Sequence, residues 1–127
     1  MPPEGLNIRW PDTPHEQEAR LHEHKFVAAR AFVRANRLNR ILMDAPQAKI
    51  GIISTGKALL DTRLALDELG IGPEEAKGLG LRLMQIAMPW PLEPEGVKEF
   101  SRGLDLIMVV EEKRGLIEPQ LKDFLYH

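Results

Sequence analysis

The 127 residues are enough for one domain with its own core, and 43% apolar with 28% charged residues is ordinary for a globular protein. A formal net charge of −2 gives no general reason to expect nucleic acid or a membrane as partner, and the absence of Cys excludes thiolate-held iron–sulfur clusters within this segment. No run approaches the roughly 20 apolar residues of a membrane span. The polar start MPPEGLNIRWPD lacks the apolar stretch of a signal peptide, so we expect a cytoplasmic protein.

The N-terminal residues predict an extended arm followed by a long helix. Residues 1–13, assigned to the arm, are rich in Pro and Gly. Thr13 and Glu16 then form the pattern of a capping box, with Pro14 at the first helical position. The helix should run to about Asn36, and residues 14–47 are assigned to it and its connection. Helical spacing predicts one buried face, formed by Leu21, Ala28, Phe32 and Ala35.

Residues 48–127 alternate strands with helices and are assigned to one α/β domain. Continuous apolar runs predict strands at 49–54, 81–87 and 105–110. Helices are predicted at 57–69, 73–77, 94–102 and 118 to about 125, the last two each beginning with a Glu cap followed by Pro. Apolar strands separated by helices are typical of a parallel sheet that is covered on both faces.

The stretch GIISTGKA differs from the phosphate-binding pattern G-x-x-x-x-G-K-[ST] at its last position, where Ala58 cannot hold Mg²⁺. Ile52 and Ile53 are better explained as buried residues of a strand. We therefore interpret the likeness as accidental. An alternative function, an independent module that binds a nucleotide or coenzyme A, remains open, and its weak ligand candidates are Ser54, Thr55, Gly56 and Lys57.

In a parallel sheet, functional contacts gather beyond the carboxyl ends of the strands. Trp and Arg are favoured interface anchors, so the loops after the second and third predicted strands form a candidate interface: Trp90, Glu111, Glu112, Lys113 and Arg114. The spacing matches no catalytic template, and no catalytic residue is assigned. No metal site is assigned either, although His15, Glu18 and His22 share one helical face, because no fourth ligand lies nearby.

Four segments in order carry a resemblance to a known family: GLNIRWPDTP, KIGIISTGKALLDTRLALDELGI, MPWPLEPEG and VVEEKRGLIEPQLKD. Together they resemble indolepyruvate ferredoxin oxidoreductase, of the 2-oxoacid:ferredoxin oxidoreductase group. The similar part is an internal domain that resembles the C-terminal domain of transketolase. The resemblance implies a three-layer α/β/α sandwich with a mainly parallel sheet. It also implies more strands than the three predicted, so we expect this segment to stop before the sheet is complete.

The resemblance implies a function for a larger enzyme rather than for this segment alone. The family uses thiamine diphosphate, Mg and 4Fe-4S clusters for the oxidative decarboxylation of arylpyruvates to acyl-CoA, and its partners are ferredoxin and coenzyme A. We expect a noncatalytic structural domain that contacts the remaining domains of a homodimeric parent enzyme. The segment alone should be inactive and hold no cofactor.

Overall fold

The computed structural model describes residues 2–126, in which helices cover both faces of a four-stranded sheet. A π-helical turn at Leu21–Lys25 joins the first two helices into one long rod. The helices are α1 (Pro14–Arg20), α2 (Phe26–Ala35), α3 (Gly56–Glu68), α4 (Pro73–Leu79), α5 (Pro94–Ser101) and α6 (Ile117–Leu125). The strands are β1 (Arg40–Met43), β2 (Ile50–Thr55), β3 (Leu81–Ile86) and β4 (Leu106–Val110).

The sheet has the strand order β1-β3-β2-β4, in which β2, β3 and β4 are parallel to one another and β1 is antiparallel to β3. The three parallel strands are those that the apolar runs predict. Strand β1 is an addition, since residues 40–43 fall in the segment assigned to the connection. The sequence did not predict this strand because it has only four residues, is half buried and pairs irregularly between Ile41 and Met43.

Two hydrophobic cores lie on opposite faces of the sheet, and they confirm the three-layer α/β/α sandwich. Ile52 packs with residues of α3 and α4, whereas its neighbour Ile53 packs with residues of α5 and α6. Successive residues of a strand point to opposite faces. A strand with two adjacent buried Ile residues must therefore be covered on both sides, which is why the continuous apolar pattern predicts this architecture.

The predicted capping box at the start of α1 is confirmed by its two hydrogen bonds. Thr13 Oγ1 accepts from the Glu16 amide at 3.3 Å, and Glu16 Oε2 accepts from the Thr13 amide at 2.7 Å. Arg20 ties the arm to the helix by donating to the Gly5 carbonyl at 3.2 Å and to Asp12 at 3.3 Å. Within residues 2–126, no helix is long and apolar enough to cross a membrane.

The buried face predicted for the long helix is wrong. Phe32 is 62% exposed and Leu21 is exposed as well, whereas Val33 is the buried residue of α2. The π-helical turn accounts for part of this difference. It inserts an extra residue between Leu21 and α2, which rotates later positions by about 100° from a regular helical wheel.

Candidate functional site

Three loops meet at the carboxyl edge of the sheet, because β3, β2 and β4 are adjacent and parallel. The structure thus brings the junction after β2, the loop that contains Trp90 and the loop that begins at Glu111 to one edge. These loops hold all the residues that the sequence singled out for an interface or for ligand contact. We call this region the carboxyl edge.

The junction between β2 and α3 contains no free loop. Strand β2 ends at Thr55 and α3 begins at Gly56, whose φ of 53° is left-handed. The Ser54 hydroxyl is fully buried and donates to the Val110 carbonyl at 2.9 Å, and the Thr55 hydroxyl donates to the Ile86 carbonyl at 2.7 Å. Both hydroxyls therefore fasten β2 to its neighbouring strands.

Lys57 forms an ion pair within its own helix. Its Nζ lies 2.6 Å from Asp61 Oδ2, one turn further along α3. The hydrogen bond to Asp61 and the charge of that carboxylate raise the pKa of Lys57 above its ordinary value, and the charge of Glu112 adds to this effect. The loop after β4 is thus close enough for an electrostatic contact with the start of α3.

The side chain of Glu111, which comes six residues before Ile117 in the chain, caps helix α6. Its carboxylate accepts hydrogen bonds from the amides of Leu116, Ile117 and Glu118 at 2.9, 2.6 and 3.3 Å. The prediction that Glu118 caps this helix is therefore wrong, since α6 begins at Ile117. The local pattern indicated the residue next to Pro, whereas a turn brings Glu111 back over the free amides. The side chains of the intervening residues are exposed: Glu112, Lys113 and Arg114.

Trp90 is 53% exposed and packs edge-to-face against Phe26 of α2, with ring centroids 6.1 Å apart. Gln120 of α6 holds the Trp90 loop in place, which the sequence did not predict. Its Oε1 accepts from the Leu92 amide at 2.7 Å, and its Nε2 donates to the Pro89 carbonyl at 2.9 Å. The signal available in the sequence was that Gln120 lies three residues after Ile117 and next to Leu121, on the apolar face of the helix. Gln120 thereby couples the loop after β3 to helix α6.

Glu93 joins the Trp90 loop to two helices. Its carboxylate accepts from the amides of Glu95 and Gly96 at 3.0 and 2.8 Å, which confirms the predicted cap of α5. The same carboxylate is paired with Arg34 of α2 at 2.8 Å. The sequence did not predict this partner for Arg34.

The carboxyl edge satisfies most of its polar groups internally. Its hydroxyls donate to backbone carbonyls, Lys57 pairs with Asp61, and Glu111 binds backbone amides. Among residues 2–126, no group of three or more His, Cys, Asp or Glu residues could hold a metal ion. What the edge offers outward is an aromatic ring and charged side chains, which suits contact with another protein surface.

The fold and this edge define a three-layer α/β domain with a mostly parallel four-stranded sheet. Residues 40–127 match the family described as "Indolepyruvate oxidoreductase domain", and the chain belongs to that family. The resemblance inferred from the sequence is thereby confirmed.

Two curated relatives are the indolepyruvate oxidoreductase subunit IorA of Pyrococcus horikoshii and that of Pyrococcus abyssi. They are 28% and 27% identical to this chain over 81 residues, or 63% of it. The match spans 11% of the length of either relative.

A solved structure shares the fold. It is the 2-oxoglutarate:ferredoxin oxidoreductase from Magnetococcus marinus, with 2-oxoglutarate, coenzyme A and succinyl-CoA bound. The TM-score is 0.58 at 21% identity, and the match covers 90% of this chain and 18% of that one. The relatives are thus oxidoreductases in which this fold is one part of a larger protein.

Proposed function

We propose that this chain is a noncatalytic domain of an indolepyruvate ferredoxin oxidoreductase that depends on thiamine diphosphate and iron–sulfur clusters. In this proposal the whole enzyme oxidatively decarboxylates arylpyruvates to acyl-CoA and reduces ferredoxin. The parent enzyme is cytoplasmic and homodimeric. The domain, which comprises residues 48–127 and its N-terminal helix, positions its neighbours through the carboxyl edge.

The observation that carries this proposal is the division of roles at the carboxyl edge. Glu111 and the hydroxyls of Ser54 and Thr55 are bound within the domain, while Trp90 and Arg114 are exposed. Groups that hold the fold together are poor candidates for acid–base or nucleophilic chemistry. Exposed Trp and Arg side chains on one edge favour a docking role.

The residues of this chain do not fit the iron–sulfur clusters of the proposed reaction. Iron–sulfur clusters require thiolate ligands, and the sequence contains no Cys. Residues 2–126 also contain no group of three or more His, Cys, Asp or Glu residues that could hold a metal ion. In this proposal the cofactor chemistry takes place in other domains of the parent enzyme. The role of this domain is to hold those domains in position.

The alternative is an independent module that binds a nucleotide or coenzyme A at Ser54, Thr55, Gly56 and Lys57. Phosphate loops present free backbone amides, a hydroxyl and a Lys to the ligand. Here both hydroxyls donate to carbonyls and the Lys pairs with Asp61. These contacts weigh against the alternative, which direct binding measurements would test.

The test is an assay of indolepyruvate-dependent reduction of an artificial electron acceptor. It compares the 127-residue chain, the intact enzyme and the intact enzyme with Arg114→Glu. We expect no turnover by the chain alone and lower activity in the variant, through altered assembly or geometry. Arg102→Glu is a matched control. Arg102 is exposed and comes just before β4, so it lies at the amino ends of the parallel strands, away from the carboxyl edge.

Two outcomes would contradict the proposal at different points. Turnover by the 127-residue chain alone would refute the noncatalytic assignment. Full activity of a stably assembled Arg114→Glu enzyme would show that the loop after β4 is not part of the interface. Loss of activity in Arg102→Glu to the same degree would show that the effect is not specific to the carboxyl edge.

A further inference from the structure

A cavity of about 260 Å³ lies between the end of α2, strand β1 and helix α5, on the face of the sheet that carries Ile53. Its apolar lining is formed by Val33, Ile41, Met84 and Phe100. Ile41 and Met84 are register partners on adjacent strands, so they lie side by side on this face. A closed apolar cavity of about 150 Å³ holds one benzene molecule. This space, which we call the α2–α5 cavity, therefore has room for a ligand somewhat larger than one aromatic ring.

Two of the charged residues that line the α2–α5 cavity already neutralise each other. The carboxylate of Glu93 is paired with Arg34 at 2.8 Å and also accepts from the amides of Glu95 and Gly96. These groups satisfy one another within the protein. They form a fixed wall of the cavity and leave the recognition of a ligand to its other polar residues.

The other two charged residues of the lining, Arg37 and Glu99, are uncompensated. Both side chains are exposed, and neither forms a hydrogen bond or an ion pair with any of residues 2–126. Arg37 has a φ of 50°, a left-handed conformation that is uncommon for a residue other than Gly and that is found most often at functional positions. The cavity thus presents one free cation and one free anion that do not pair with each other.

Asn39 adds a hydrogen-bond donor to the lining. Its Oδ1 accepts from the Ala87 amide at 2.9 Å, and because a backbone amide can only donate, this contact fixes which side-chain atom is the oxygen. The Nδ2 atom is shielded from solvent and has no partner among residues 2–126. Shielded donors are normally satisfied, so an unsatisfied one beside a cavity indicates a missing acceptor. Asn39 is two residues from Arg37, and the two donors therefore lie at the same end of the cavity.

We propose that the α2–α5 cavity binds a free α-amino acid with an apolar side chain. The carboxylate pairs with Arg37 and provides an acceptor for Asn39, the ammonium group pairs with Glu99, and the side chain lies on the apolar lining. A ligand with only one of the two charges would leave Arg37 or Glu99 unmatched. This inference goes beyond the proposed function, because none of the residues assigned to the interface at the carboxyl edge lines this cavity.

An NMR titration of the 127-residue chain with L-phenylalanine tests the proposal. The resonances of the Asn39 side-chain amide and the Met84 methyl group should shift, with a dissociation constant on the order of 1 mM or tighter. Two matched ligands each lack one charge: 3-phenylpropanoate has no ammonium group, and phenethylamine has no carboxylate. Each should bind on the order of tenfold more weakly, because each loses one charge-assisted hydrogen bond.

Two variants assign each charge of the ligand to its residue. Arg37→Gln should weaken the binding of phenylalanine and 3-phenylpropanoate on the order of tenfold but not that of phenethylamine. Glu99→Gln should weaken phenylalanine and phenethylamine but not 3-phenylpropanoate. Arg40→Gln and Glu95→Gln are the matched controls, since both residues are exposed nearby and neither lines the cavity. Circular dichroism melts verify that all four variants fold.

Several results would overturn the proposal. One is the absence of shifts at Asn39 and Met84 with several millimolar phenylalanine. Another is equal affinity for phenylalanine and either 3-phenylpropanoate or phenylpyruvate, since neither of these acids carries an ammonium group. Weakening by Arg40→Gln as large as that by Arg37→Gln would also contradict it, because the binding would then reflect general charge. None of these results bears on the indolepyruvate assay, so this inference and the proposed function fail independently.

Discussion

Arg34 and Glu93, which are 59 positions apart in the chain, form an ion pair that joins the N-terminal helix to the α/β domain. The Nε and Nη2 atoms of Arg34 lie 2.9 and 2.8 Å from Glu93 Oε1. Only 3% of the Glu93 side chain is exposed, whereas 55% of Arg34 is. A buried carboxylate needs compensation for its lost hydration, and here the guanidinium and the amides at the start of α5 provide it.

We expect Glu93→Ala to lower the free energy of unfolding by about 2–3 kcal/mol, because it removes both the cap of α5 and the ion pair. Arg34→Ala should cost only about 1 kcal/mol, since Arg34 is half exposed and the amides still bind the carboxylate. Urea denaturation of both variants and of the double variant measures the coupling. Additive effects would mean that the ion pair contributes nothing.

Gly51→Ala should destabilise the domain by about 1–3 kcal/mol, because the added methyl overpacks the core under α5. A Cβ at Gly51 would lie 2.5 Å from Leu104 Cδ1 and 2.8 Å from the Phe100 ring. Gly78→Ala is the control. Gly78 lies within α4 and has open space around it, so the Ala should stabilise by up to about 1 kcal/mol. Thermal melts with effects of the same sign would contradict this account.

Glu111→Ala should destabilise the domain by about 1–2 kcal/mol and fray the first turn of α6, because three amides lose their acceptor. The exposed neighbour Glu112 provides the matched control, since Glu112→Ala should change stability by less than about 0.5 kcal/mol. Amide exchange at residues 116–118 reports the fraying directly. Unchanged exchange there would show that Glu111 does not cap the helix in solution.

The capping box at Thr13 and Glu16 predicts a pH dependence at the start of α1. The hydrogen bonds from the Thr13 backbone amide and hydroxyl hold the pKa of Glu16 below its ordinary value. A lowered pKa means that this contribution to stability is fully present above the ordinary pKa and is lost as pH falls through the folded value. The protection of the α1 amides, which is their exchange rate corrected for the intrinsic effect of pH, should therefore decrease in acid, and Glu16→Ala should abolish that step.

In Thr13→Ala the titration of Glu16, followed by NMR, should move toward the ordinary range, because one of the two hydrogen bonds is gone. The cost in stability should be about 1 kcal/mol. An unchanged titration would assign the shift to the hydrogen bond from the backbone amide of residue 13, which the substitution keeps.

We expect no useful affinity for Mg-ATP or coenzyme A in the 127-residue chain. Ala58 supplies no metal ligand, the Ser54 and Thr55 hydroxyls donate to carbonyls, and Lys57 is paired with Asp61. Isothermal calorimetry measures this directly. Micromolar binding that disappears in Lys57→Ala would favour the independent binding module over the structural domain.

The sequence was most informative where the physics is local. The capping box joins residues three positions apart, and the cap of α5 joins Glu93 to amides two and three positions on. The apolar runs of β2, β3 and β4 are dictated by burial on both faces, so they could be recognised without any partner strand. These signals predicted the parallel α/β sheet and placed Trp90 and the loop at Glu111 beyond its carboxyl ends.

The tertiary structure alone decided which distant residues meet. Strand β1 is a strand because β3 pairs with it, since its own four residues carry no distinctive pattern. Arg34 becomes the partner of Glu93, and Gln120 the support of the Trp90 loop, because packed helices bring them there. A hydrogen bond needs its two atoms within about 3 Å. For residues far apart in sequence only the packed fold brings atoms that close, so local sequence determined the elements and the fold determined their contacts.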